Sequence, residues 1–249
     1  MKVIILAAGM GSRLKPLTDD KPKCMVKLFN ETLIERQIKI FHNCNINDIT
    51  IVTGYRGELI NIPDVNYVKN KNYEKTNMNE SLFCALKPSN SPILVTYSDI
   101  VFEQKIIEQM LEVTDGIRLA VSLNWKKNYQ NRRLHPLSEA ENVLMENERI
   151  LQIRKNISEF SQSQQIGEFL GIMMLSSDHV KILLEKYSYL KKNHKGTFHN
   201  APSLSNAYIT DMLQELIDSD INVDPIFIQG IWHEIDTPED LKNAEKQIG

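Results

Sequence analysis

The first 27 residues constrain this chain more than any other stretch. Val3 to Leu6 is a short apolar run rich in β-branched residues, the pattern of a parallel strand buried on both faces. Small residues follow at once: Ala7, Ala8, Gly9, Gly11 and Ser12. With no bulky side chains in the way, the backbone N–H groups of such a loop approach an anion closely. Arg13 stands just beyond the loop, and Lys21 and Lys23 follow. A strand, a small-residue loop and three cations make a site for a polyphosphate.

Two familiar phosphate loops do not match. A Walker loop needs Gly-x4-Gly-Lys-Ser/Thr, and neither Gly9 nor Gly11 opens that spacing. A dinucleotide fingerprint needs a small residue where Leu14 stands. It also needs an acid at the end of the second strand, where Thr53-Gly54 stands.

The rest of the chain reads as strands alternating with helices. Asp48 to Thr53, Val65 to Val68, Pro92 to Tyr97, Ile117 to Leu123, Gly167 to Met174, Val223 to Ile228 and Trp232 to Ile235 are predicted strands. Amphipathic spacing predicts helices over Thr32 to Cys44, Ile106 to Val113, Val180 to Tyr189 and Asn206 to Asp218. Another opens near Ser81, with Asn77 or Asn79 as its cap, and a last one starts at Thr237-Pro238. Val143 to Met145 and Ile150 to Arg154 form a hairpin. The fold class expected is α/β: a Rossmann-like, mostly parallel central sheet with helices on both faces and a small antiparallel addition. In such sheets ligands bind beyond the carboxyl ends of the strands, where Gly9, Gly54 and Asp99 all fall.

A length of 249 residues suits a single domain with its own core. Residues 1–123 would form its nucleotide half, and 124–249 its acceptor half with a second metal ligand. The net charge of −3 argues against nucleic acid or an anionic membrane as partner. No apolar run approaches the ~20 residues of a membrane span. Met1 leads straight into a strand rather than a signal peptide. Cys24, Cys44 and Cys84 are odd in number and unpaired in spacing, as reduced cytoplasmic thiols are.

The N-terminal pattern resembles the signature of the nucleotidyltransferases that activate sugar phosphates and phosphocholine. That signature, Leu-Ala-Ala-Gly-x-Gly-x-Arg-Leu followed by Pro-Lys, stands here as Leu6 to Leu14 and Pro22-Lys23. The resemblance implies a nucleotidyltransferase fold and transfer of a nucleotidyl group from a nucleoside triphosphate to a phosphorylated acceptor. It implies Arg13 and Lys23 as catalytic cations, and Asp99 and Asp236 as ligands of one Mg²⁺, which takes carboxylates together with phosphate oxygens. It implies nucleotide contacts from Leu6, Ala7, Ala8, Gly9, Gly11, Ser12, Gly54, Tyr55, Asn77 and Ser81. No general base is needed, because a phosphate monoester is already largely ionised at pH 7.

Several pieces resemble the small bacterial cytidylyltransferases that act on phosphocholine, 2-aminoethylphosphonate or glutamine phosphate, among them Gly167-Glu168-Phe169-Leu170-Gly171. That resemblance implies CTP as donor, an amine-bearing acceptor and a role in cell-surface polysaccharide. An acceptor cation wants carboxylates or an aromatic face, which makes Glu168, Asp211, Trp232 and Glu234 candidates. Lys126, Lys127, Arg132 and Arg133, with no acid among them, would suit an acceptor with an extra carboxylate, such as glutamine phosphate. A sugar-1-phosphate uridylyl- or thymidylyltransferase is the alternative. A glycosyltransferase would want Asp-x-Asp, but Asp99 is followed by Ile100-Val101. A non-catalytic nucleotide-binding regulator would have no need of the full set Arg13, Lys23, Asp99 and Asp236.

Overall fold

The computed structural model describes residues 1–130, 132–158 and 160–248. Its centre is a mixed sheet in the spatial order Arg149–Lys155, Glu141–Glu146, Gln165–Leu175, Ile93–Tyr97, Lys2–Ala7, Asp48–Thr53, Asn66–Lys69. The strands around Lys2–Ala7 are parallel, with Leu6 opposite both Val52 and Tyr97. Their carboxyl ends therefore open on one edge. Val3, Ile4 and Ile5 are fully buried, as the unbroken apolar run required.

The antiparallel part is built on Gln165–Leu175. This strand pairs with Glu141–Glu146 and Ile93–Tyr97, and also with Ile117–Ser122. Asp224–Phe227 then runs parallel to Ile117–Ser122. The helix Leu33–Asn43 opens on a capping box between Thr32 and Glu35 and packs against Gln104–Glu112. Met78–Ala85, capped by Asn77, packs on the first strands and on Ile209–Ile217. The expected helix and strand positions hold, with ends shifted by a few residues. Ser177–Asn193 extends beyond the expected helix Val180 to Tyr189 at both ends.

One short pairing lies outside the central sheet. Ile100–Phe102 runs antiparallel to Trp232–Glu234, with Glu234 opposite Ile100, and the Ile235 amide donates to the Asp99 carbonyl at 2.9 Å. This annex joins the end of Ile93–Tyr97 to the start of the helix Pro238–Ile248.

Candidate active site

Past Ala7 the chain leaves the sheet, and the amides of Gly9, Met10 and Gly11 donate to no protein acceptor among the described residues. Gly9 faces open space. Gly11 adopts φ +61°, and a Cβ there would stand 2.9 Å from Cβ of Lys23. The turn therefore needs glycine to let the Lys23 segment lie against the loop. Thr18 closes the turn by donating to the Gly11 carbonyl at 2.8 Å.

Leu6, Ala7, Ala8 and Gly9 line an open cleft of about 590 Å³ with Lys23 and Asp99. Asn77 and Ser81 form part of its opposite wall. Both also hold local structure: Asn77 caps its helix, and the Ser81 hydroxyl accepts from Asn70 at 3.0 Å. Gly54 and Tyr55 lie outside the cleft lining. The Tyr55 amide donates to the Ala8 carbonyl at 3.1 Å, and its hydroxyl reaches the carbonyls of Thr18 and Asp19. They brace the loop from behind. Ser12 opens the short turn that carries Arg13.

Four of the anticipated charged groups converge. The Lys23 ammonium donates to Asp99 Oδ2 at 2.6 Å and to Asp236 Oδ1. Arg13 Nη2 donates to Asp236 Oδ2 at 2.7 Å. Lys21 does not join them; it stands beside Asp20, half-exposed. Burial alone would lower the Lys23 pKa, but Asp99 and Asp236 outweigh it and hold the ammonium above the ordinary lysine range. Burial likewise opposes ionisation of Asp236, but Lys23, His135 and Arg13 hold its carboxyl well below the usual range. Burial pushes the Cys24 thiol up to about 12, so it stays protonated.

The donor set fits Mg²⁺. Asp99 and Asp236 offer hard oxygens, and Asp99 Oδ1 is buried without a hydrogen-bond partner among the described residues. The Lys23 ammonium lies between the two carboxylates, so they already share a cation. The imidazole of His135, which carried no signal in the sequence, lies 3.0 Å from Asp236 Oδ2. With half-buried Glu234 it completes a His-Glu-Asp group whose ligand atoms all lie within 4.8 Å of one another. Burial, and then the charges of Asp236 and Asp99, push the Glu234 carboxyl well above its ordinary pKa.

A second, narrow pocket meets the cleft at Tyr97, which lines both. Glu168, Trp232 and Glu234, three of the four acceptor candidates, line it. Glu139 and Glu141 join them; no local pattern marked either residue. Asp211 does not belong to this group. Its two oxygens accept from the backbone amides of Asn200, at 3.2 Å, and Tyr208, at 2.8 Å, and so close a helix start. The basic segment gives a second correction. Lys126, Lys127 and Arg133 are exposed, and buried Arg132 is paired with Asp240 at 2.7 Å. None of the four lines the acidic pocket, so the segment carries no argument for an acceptor carboxylate.

Fold and site together define a nucleotidyltransferase. The chain belongs to the MobA-like NTP transferase family, whose domain model matches residues 3–166. It is similar to a CTP:phosphoglutamine cytidylyltransferase of Campylobacter jejuni, with 31% identity over 97% of this chain and 98% of that one. A stretch covering 23% of the chain is 50% identical to part of a choline-phosphate cytidylyltransferase of Streptococcus pneumoniae, 25% of that protein. The solved structure of a CTP:phosphocholine cytidylyltransferase from Streptococcus pneumoniae superposes with a TM-score of 0.72 at 21% identity. It covers 100% of this chain and 99% of that one, and shows the shared fold. No helix among the described residues is long and apolar enough to cross a membrane.

Proposed function

We propose that the protein is a Mg²⁺-dependent cytidylyltransferase that transfers CMP from CTP to a small amine-bearing phosphate or phosphonate and releases pyrophosphate. The observation that carries this reading is the junction of an open-amide loop, a doubly paired lysine and an acidic pocket on one sheet edge. The similarity to a phosphoglutamine cytidylyltransferase over nearly the whole chain supports glutamine phosphate as the first acceptor to test. Phosphocholine and 2-aminoethylphosphonate are the others.

The acceptor phosphate attacks the α-phosphorus of CTP in line with the departing pyrophosphate. It arrives largely ionised, so the protein positions two anions and neutralises charge rather than abstracting a proton. The amides of Gly9 to Gly11 and the guanidinium of Arg13 hold the β- and γ-phosphates. Lys23 turns from its carboxylates toward the α-phosphate, where negative charge grows. Asp99 and Asp236 would hold a Mg²⁺, which would supply charge neutralisation at the phosphate oxygens. The cleft between Leu6–Gly9 and Asn77–Ser81 receives the base. Use of CTP places the reaction in the cytoplasm, and the product feeds cell-surface polysaccharide.

The test is pyrophosphate release with Mg²⁺, crossing CTP, UTP, dTTP and ATP with glutamine phosphate, phosphocholine, 2-aminoethylphosphonate and glucose 1-phosphate. Turnover of CTP with an amine-bearing acceptor is expected. Turnover only of UTP or dTTP with glucose 1-phosphate would overturn the assignment and move the protein to the sugar-nucleotide branch.

A further inference from the structure

The acidic pocket holds more information than its sign of charge. Glu139, Glu141, Glu168 and Glu234 all line it, and Tyr97, Phe169 and Trp232 supply the apolar walls. Gly171 shapes one wall. It adopts φ +72°, and a Cβ there would stand 2.3 Å from the Tyr97 ring, so glycine lets that ring lie on the strand. In this position the Tyr97 hydroxyl donates to Glu141 Oε2 at 3.2 Å.

Glu168 is the decisive residue. It is 3% exposed, and its Oε1 accepts from the Tyr129 hydroxyl. Its Oε2 is buried with no hydrogen-bond partner among the described residues. A buried carboxylate oxygen without a partner is costly; without a ligand the carboxyl meets that cost by holding a proton, and a bound group that brings a hydrogen can take the proton's place. A primary ammonium brings three N–H donors and a positive charge. A quaternary ammonium brings the charge but no N–H, and is recognised instead on aromatic faces. Of the four carboxyl groups here, Glu139 is paired with Lys155 at 2.8 Å and Glu141 accepts from Tyr97, whereas Glu168 Oε2 has no partner among the described residues.

We infer that the acceptor's head is a primary ammonium, donating to Glu168 Oε2 with Glu141 as its second carboxylate, and that a quaternary ammonium is discriminated against. The inference rests on the cytidylyltransferase reading and narrows its acceptor to a primary-amine phosphate or phosphonate. Burial agrees with it, raising the Glu168 carboxyl to about 8 and that of Glu141 to about 7. These two carboxyls therefore tend to hold their protons until a cation enters and draws them off.

The experiment is CTP- and Mg²⁺-dependent pyrophosphate release with 2-aminoethyl phosphate, its N-methyl and N,N-dimethyl derivatives, phosphocholine and glutamine phosphate. A site built around an N–H donor rejects an analogue lacking it by several orders of magnitude. The primary amines are expected to exceed phosphocholine in kcat/KM by at least ~100-fold, with a fall at the last methylation. Glu168→Gln is expected to lower kcat/KM for the primary amines at least ~10-fold more than for phosphocholine and so to narrow the wild-type preference, whereas a merely structural defect would lower all acceptors alike. The wild-type comparison decides the matter even if the variant does not fold. Phosphocholine turned over as fast as the primary amines overturns the inference and leaves the cytidylyltransferase reading standing. No release from any acceptor, in protein shown to bind CTP, overturns both.

Discussion

Lys23 and Asp99 form a largely buried ion pair, with 2.6 Å between Nζ and Oδ2, and the same ammonium also donates to Asp236. One lysine thus ties the segment after the first strand to both strands of the Ile100–Phe102 and Trp232–Glu234 annex, at the end where Ile100 faces Glu234. Removing one member of a buried pair leaves an uncompensated charge and typically costs ~3–5 kcal/mol.

Lys23→Ala and Asp99→Asn are each expected to lower turnover by at least ~100-fold, the scale of a lost electrostatic group at a reacting centre. Steady-state pyrophosphate release checks this, with circular dichroism showing that both variants fold. Near-normal rates in both would defeat the mechanism.

Mg²⁺ should matter more to the structure once Lys23 is gone. Asp99 and Asp236 then face each other without their ammonium, and a divalent cation relieves the repulsion. Addition of Mg²⁺ is expected to raise the Tm of Lys23→Ala by several degrees more than that of the wild type. Thermal unfolding with and without the ion measures the difference.

Acceptor binding should strengthen with pH. Glu141 and Glu168, at about 7 and about 8, bind a cation only when ionised. The charged and titratable groups around them are Glu139, Glu234, Asp99, Asp211, Arg132, Lys155, Tyr97 and Tyr129. Above pH 6.5 the acceptor phosphate is already mostly a dianion. Between pH 6.5 and 8.5, kcat/KM for the acceptor is expected to rise by roughly tenfold or more while KM for CTP stays flat. Stability should move the other way without acceptor. Both carboxyls hold protons more tightly folded than unfolded, so unfolding free energy falls as pH climbs from about 4.5 to about 8. Glu168→Gln should flatten that fall in a denaturant series.

Asp211→Ala separates capping from acceptor binding. Loss of the bonds to Asn200 and Tyr208 is expected to cost ~0.5–2 kcal/mol of stability, while KM for the acceptor changes by less than roughly twofold. A large rise in KM with unchanged stability would return Asp211 to the pocket.

Gly11→Ala places a side chain at φ +61°, a conformation costing an L-residue ~1–2 kcal/mol, against Lys23. Both lower stability and a higher KM for CTP are expected, because the loop must shift away from the lysine. Urea unfolding and initial-rate kinetics check the two effects.

The sequence by itself determined the local features. The apolar run of Val3 to Leu6, the small residues after it and Pro22-Lys23 identify a buried strand ending at an anion loop. The amphipathic spacing from Thr32 and the Asn77 and Asn79 pair before Ser81 mark helix starts. Each of these signals lies within a few neighbouring residues, where backbone sterics and side-chain size act directly. Only the tertiary structure decided which distant groups share the site. Lys23 and Asp236, 213 residues apart, meet because Trp232–Glu234 pairs with Ile100–Phe102, and three-residue strands carry too little pattern to announce a partner. Glu141 and Glu168 face one another's pocket while Asp211 closes a helix. A carboxylate's role depends on which way its strand or helix turns it and on what is buried beside it, and neither is written in its immediate neighbours.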